Sequence, residues 1–153
     1  MNKGPFDLAV GSDLVMGSAA TPAPASEVSV VHPDVQYAID AVPGGTVIDA
    51  HTVVWPELGL ELSVPSPDSR AVGSCATGSY CAYAGANRSG TKLSWVTCST
   101  VSTAALSTVG SIANARSSGT VQARKGASTV LGSAGPGATV NLPGGTTNLR
   151  CLL

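Results

Sequence analysis

Downstream of Asp68 the chain has no aspartate and no glutamate, while it carries seven Lys or Arg between Ser69 and Leu153. All nine acids lie in the first 68 residues, beside a single Lys3. The overall charge of −1 therefore hides a segment of −8 (one base against nine acids) followed by one of +7. A segment without carboxylates supplies neither the acid pair of a glycosidase nor the Asp that orients a catalytic His. Histidine is almost as scarce, with only His32 and His51, and no Gly-x-Ser-x-Gly nucleophile elbow occurs. Gly135-Pro136-Gly137 lacks the downstream Lys-Ser/Thr or third Gly that would make it a phosphate loop. No run approaches the 18 apolar residues of a membrane-crossing helix, so no membrane partner is expected. Catalysis is not expected either. His51, beside Asp49, reads as a surface or capping residue.

What remains is small and β-favouring. Hydrophobic residues make up 43% of the chain but aromatics only 4%, and Gly numbers 18. Such a composition suits many short strands and turns rather than long helices, and 153 residues give room for one core plus an arm or linker. Cys75, Cys81, Cys98 and Cys151 form an even set with no His or acid nearby to complete a metal site. Disulfides in an exported protein are the expected use, and no metal or cofactor is implied. Four cysteines allow three connectivities. In the favoured one Cys98 ties an early strand to the last through Cys151, across 52 intervening residues, a closure worth on the order of 4 kcal/mol. Cys75 and Cys81 then close a small loop containing Gly78.

Three segments follow. Met1 to Glu27 reads as a disordered arm or signal remnant: Asp7 and Asp13 interrupt any apolar region, and Ser18 to Ser26 has the Ala/Pro composition common after a cleavage site. Residues 28–68 form an acidic segment. In it Asp34 to Val42 is a short helix with Val35, Ile39 and Val42 on one face and Gly44-Gly45 to end it. Thr46 to Trp55 and the alternating Leu58, Leu60, Leu62, Val64 run form a hairpin around Pro56-Glu57. Pro65 to Arg70 is a linker. Residues 69–153 form a basic, Cys-braced β domain with strands at Tyr80–Ala84, Lys92–Thr97, Gly110–Ala115, Thr120–Arg124, Ser128–Ser133, Ala138–Leu142 and Asn148–Leu152. The fold class expected is mostly β: a small disulfide-braced antiparallel sandwich with an extended N-terminal arm and one short helix.

The series Cys75, Gly78, Tyr80, Cys81, Tyr83, Asn87, Gly90, Cys98 resembles the Cys-rich Greek-key segment of the actinobacterial peptidase inhibitor family I36 and its βγ-crystallin-like relatives. In the crystallin key an aromatic opens a strand, and an Asn and a Gly follow in the folded hairpin, where Gly adopts a conformation closed to side chains with Cβ. Tyr83, Asn87 and Gly90 fit that register, and the likeness extends over about residues 43–115. The second aromatic of the key is replaced by Arg88, and the acidic calcium-binding run is missing around Ser107 to Ile112, so calcium binding should be lost. The resemblance implies docking on a trypsin-like protease or protease-like domain. An inhibitor of this kind offers a rigid extended loop whose basic residue fills the specificity pocket. Arg88, flanked by Asn87 and Ser89, is the first candidate, and Lys125 with Arg124 the second. Tyr80, Tyr83 and Trp95 read as core.

The arm-plus-domain layout is also similar to the small adaptor subunits of actinobacterial umbrella toxin particles, secreted assemblies in which such a subunit joins two larger proteins. On that reading the arm adds a strand to a second large partner, with Val28 and Val30 on one side and Ser29 and Val31 on the other. The alternative function is an anionic-surface or nucleic-acid binding β domain. It is disfavoured because the basic residues stand singly, apart from Arg124-Lys125, without interleaved exposed aromatics. An acidic partner suits the basic domain better.

Overall fold

The computed structural model describes residues 30–65 and 74–153. The arm up to Glu27, Val28 and most of the Pro65–Arg70 linker lie outside the described residues. Residues 31–153 form one compact unit.

Helix α1 (Pro33–Ala41) begins one residue before the expected start. Pro at its first position presets the backbone, and His32 caps it by accepting the Asp34 N–H on Nδ1 at 3.1 Å. Val35 and Ala38 are its buried face. The β-branched run that follows is not one strand but two, β1 (Thr46–Asp49) and β2 (Thr52–Trp55). The break has a local cause: the Asp49 carboxylate accepts the His51 backbone N–H at 2.8 Å, folding the chain at Ala50-His51. A 3-10 turn at Pro56–Leu58 closed by Gly59 leads into β3 (Leu60–Ser63).

The remaining strands are β4 (Tyr80–Tyr83), β5 (Lys92–Trp95), β6 (Thr100–Ser102), β7 (Ser111–Asn114), β8 (Thr120–Lys125), β9 (Thr129–Ala134), β10 (Thr139–Asn141) and β11 (Asn148–Leu152). All but β6 fall where alternation and glycine punctuation place them. The strands build two wholly antiparallel sheets, a seven-stranded one in the order β1-β2-β3-β5-β4-β7-β10 and a four-stranded one in the order β6-β11-β8-β9. The acidic hairpin is not separate from the basic body, because β3 pairs with β5 from Leu60↔Trp95 to Ser63↔Lys92. The change of charge sign therefore falls inside one sheet.

Alternation explains the core. Val53 and Trp55, Leu60 and Leu62, Leu93 and Trp95, Val121 and Ala123, and Leu149 and Cys151 point inward from their strands into one cluster. The Tyr80 ring stacks on Trp95 with centroids 5.5 Å apart, worth about 1 kcal/mol beyond the area buried. Strand β4 is buried on both faces: Tyr80 and Ala82 enter the main core, while Cys81 and Tyr83 pack on the outer face with Ala113 and Cys75. Two disulfides brace the body, Cys75–Cys81 with Cα atoms 5.9 Å apart and Cys98–Cys151 at 5.1 Å. They suit an oxidising, non-cytoplasmic compartment. No helix among the described residues is long and apolar enough to cross a membrane.

Candidate functional site

The β4–β5 connection, residues 84–91, carries Asn87, Arg88 and Ser89. Its ends are closed by Ala84 N–H donating to Thr91 O and Gly85 N–H to Ser89 O, both at 2.9 Å. Ser89 then donates twice to Ala86 O, from its backbone N–H at 3.2 Å and from its hydroxyl at 2.6 Å. Inside this ring Asn87 and Arg88 both take left-handed conformations, with φ of 55° and 59°. Asn tolerates that region, but for a residue such as Arg it costs roughly 1–2 kcal/mol. Distant partners hold it there. Arg88 N–H donates to Ser111 Oγ at 3.0 Å, and that hydroxyl donates to Gly85 O at 2.7 Å. Asn87 N–H donates to Asn141 Oδ1 at 2.8 Å, while Asn141 Nδ2 donates to Asn87 Oδ1 at 3.0 Å. Each such bond contributes about 1 kcal/mol, enough together to offset the strain.

Close backbone approach completes the anchor. A Cβ on Gly110 would sit 2.6 Å from the Gly85 carbonyl carbon, so only glycine lets β7's leading edge press against the turn. Beneath it, burial raises the Tyr83 phenol above its ordinary value of 10.0, the positive Arg88 acting in the opposite sense. The Tyr83 hydroxyl is buried without a hydrogen-bond partner among the described residues. Hydrogen bonds to β7 and β10, rather than a disulfide, hold this segment. The segment is also a tight turn, not an extended loop. Tyr83 closes its strand instead of opening it as the crystallin register would have it.

The second candidate pair sits on the other sheet, at the end of β8. Arg124 donates from Nε and Nη2 to Gln122 Oε1 at 3.1 and 2.8 Å, and from Nη1 to Ala127 O at 2.9 Å. Its guanidinium is thus spent on bracing its own hairpin, which leaves Lys125 as the exposed charge. Val30 is 82% exposed, and Val28 lies outside the described residues. The candidate residues therefore form separate places on the surface, not one site.

The two histidines do come together, with ring centroids 5.6 Å apart. His32 Nδ1 caps α1 and the Asp49 carboxylate is engaged by backbone. No group of three or more His, Cys, Asp or Glu able to hold a metal is present among the described residues.

Sequence reasoning missed a groove of about 630 Å³ between Val42, just past α1, and strand β6. Leu60 and Trp95 are its nearly buried base, and Leu58 and Val96 stand at its rim with 53% and 63% exposure. The available signal is Leu58, which the alternating run places in a strand but which instead ends the 3-10 turn, exposed. Geometry and bonding define a small disulfide-braced antiparallel β protein with a pinned, positively charged turn and a separate apolar groove. No protein-family model, characterised protein or solved structure shows a significant match to the chain.

Proposed function

We propose that the chain is an exported, non-enzymatic binding module that docks on a trypsin-like protease or protease-like domain through the Ala86–Ser89 turn, as an assembly adaptor rather than as a substrate-like inhibitor. The observation that carries this reading is the pair Asn87 and Arg88, held left-handed by Ser111 and Asn141. Backbone strain in non-glycine residues persists only where the surroundings over-determine it, and such places concentrate at recognition sites. A preordered turn also loses little conformational entropy on docking. The same geometry argues against substrate-like inhibition, because a protease cleft reads an extended backbone whereas Arg88 sits in a tight turn. Braced disulfides suit a protein that works outside the cell. An exposed Val30 leaves the arm able to add a strand to a second partner.

Active trypsin-like proteases and their catalytic-Ser→Ala forms, immobilised side by side, test the reading, together with affinity purification from the producer's medium and mass spectrometry. Equal capture on active and inactive forms is expected, without nanomolar inhibition. Capture should fall at least tenfold for Arg88→Glu and stay within twofold for Arg124→Glu. Tight inhibition of an active enzyme would overturn the adaptor reading. Failure of both methods to recover any protease fold would overturn the docking.

A further inference from the structure

The seven-stranded sheet is wider than the four-stranded sheet it faces. The second layer is extended by α1, which packs on β2 and β3, and the groove lies between the end of that helix at Val42 and the end strand β6. One wall of the groove is thus a strand edge, from Thr100 to Ser102.

The bonding of β6 shows which backbone groups that edge offers. Its register with β11 is Thr100↔Arg150, Val101↔Leu149 and Ser102↔Asn148. Cys151 N–H donates to Ser99 O and Thr103 N–H to Thr147 O, both at 3.1 Å. In an antiparallel ladder the hydrogen-bonded pairs alternate, so 99, 101 and 103 turn their N–H and C=O groups toward β11. Thr100 and Ser102 turn theirs the other way. No backbone partner for these groups occurs among the described residues. Over the same stretch Leu58 and Val96 expose apolar surface beside the base formed by Leu60 and Trp95. Among the described residues, Glu57 is the one charged residue lining the groove.

We infer that this groove is a strand-addition site for an extended segment of another protein, with apolar side chains at alternate positions and a Lys or Arg placed to meet Glu57. Strand addition draws affinity from main-chain bonds and specificity from where alternate side chains fall, and here, among the described residues, a free strand edge lies along an apolar groove. The carboxylate selects a basic over an acidic segment. The site is distinct from the Ala86–Ser89 turn, so it stands or falls independently of docking there.

The probe is an acetylated, amidated peptide alternating valine with threonine and lysine, compared with its glutamate-for-lysine counterpart. It is titrated into the oxidised full chain while amide exchange is followed by NMR. Saturable binding of the lysine peptide is expected, with exchange at the Thr100 and Ser102 amides slowed at least tenfold and the glutamate peptide bound at least tenfold more weakly. Thr100→Pro removes an outward N–H that β11 does not use, a change that edge strands tolerate. It should weaken the lysine peptide at least tenfold. Glu57→Lys, at an exposed position of the 3-10 turn, should reverse the charge preference. The inference is overturned by any of four outcomes: no binding at millimolar peptide, binding that leaves those two amides unprotected, retention of Glu57→Lys preference for the lysine peptide, or protection that appears only with chain concentration, which would make a second copy the occupant. The exchange measurement on the unaltered chain decides the matter even if a variant fails to fold.

Discussion

Removing the Cys98–Cys151 bond should cost about twice as much stability as removing Cys75–Cys81, although both join residues equally close in the fold. Cys98 and Cys151 are 53 residues apart in sequence, Cys75 and Cys81 only 6. In the chain-entropy account these loops restrict the unfolded state by about 4 and about 2 kcal/mol. The native state should feel the first loss little. Ser99 O already accepts from Cys151 N–H, and β6 and β11 are in register beside it, so the strands stay aligned without the sulfur bridge. Against a net stability of about 5–15 kcal/mol for a domain, a loss of about 4 is a large fraction. Paired Cys→Ala variants, compared by urea denaturation with circular dichroism, check the reasoning. The Cys98/Cys151 pair should melt far earlier than the Cys75/Cys81 pair. Equal shifts for the two pairs, or the larger shift for Cys75/Cys81, would refute the argument from loop length.

Arg88→Gly should raise stability by about 0.5–1 kcal/mol, since relief of left-handed strain exceeds the entropy a glycine adds to the unfolded chain, while capture on a protease fold is lost. Urea melts and the capture assay read the two effects separately. Gly110→Ala should cost about 2 kcal/mol, because its Cβ meets the Gly85 backbone at 2.6 Å and backbone yields less than a side chain. Tyr80→Phe should cost about 1 kcal/mol through loss of the bond from its hydroxyl to Thr97 O, whereas Tyr83→Phe should be neutral or stabilise by about 1, its hydroxyl being buried without a partner. Burial raises both phenols above 10.0, so their contribution is complete below pH 10 and disappears as pH climbs through the raised folded values. The fall in urea midpoint above pH 10 should be shallower in the Tyr80→Phe, Tyr83→Phe double variant.

Most strands were legible because their signals are local. Lys92–Trp95 and Thr120–Lys125 alternate, Tyr80–Tyr83 is a short apolar run, and each has a glycine within two residues of at least one end. Strand β6 is only Thr-Val-Ser, and its single partner is β11, some fifty residues away, so nothing near Thr100 announces it. The split at Ala50-His51 hid behind a favourable β-branched composition that the Asp49 carboxylate overrides. At the β4–β5 turn, Asn87 and Gly90 have the chemistry of a turn. The left-handed Arg88 was not legible, since Ser111 and Asn141 impose it from β7 and β10. The groove follows from the unequal widths of two sheets, a property of pairing that no stretch of sequence contains.

The charge asymmetry gains a physical meaning from the β3–β5 pairing. Asp34, Asp40, Asp49, Glu57 and Glu61 belong to α1 and to the β1–β3 end of the wide sheet, while Arg88 stands in the turn joining β4 and β5. Since the two halves are joined by four residue pairs from Leu60↔Trp95 to Ser63↔Lys92, the signs cannot move apart as flexible domains would. A partner meeting Glu57 and one meeting Arg88 would therefore address side chains of opposite sign on one body, although Asp34, bonded to the Thr91 hydroxyl, brings a carboxylate to the base of the Arg88 turn. On the proposed reading, a partner attracted to Arg88 would gain less at Glu57, and the reverse. If the chain does bind two proteins, that difference in sign would favour one partner at each position, which apolar contact alone would not.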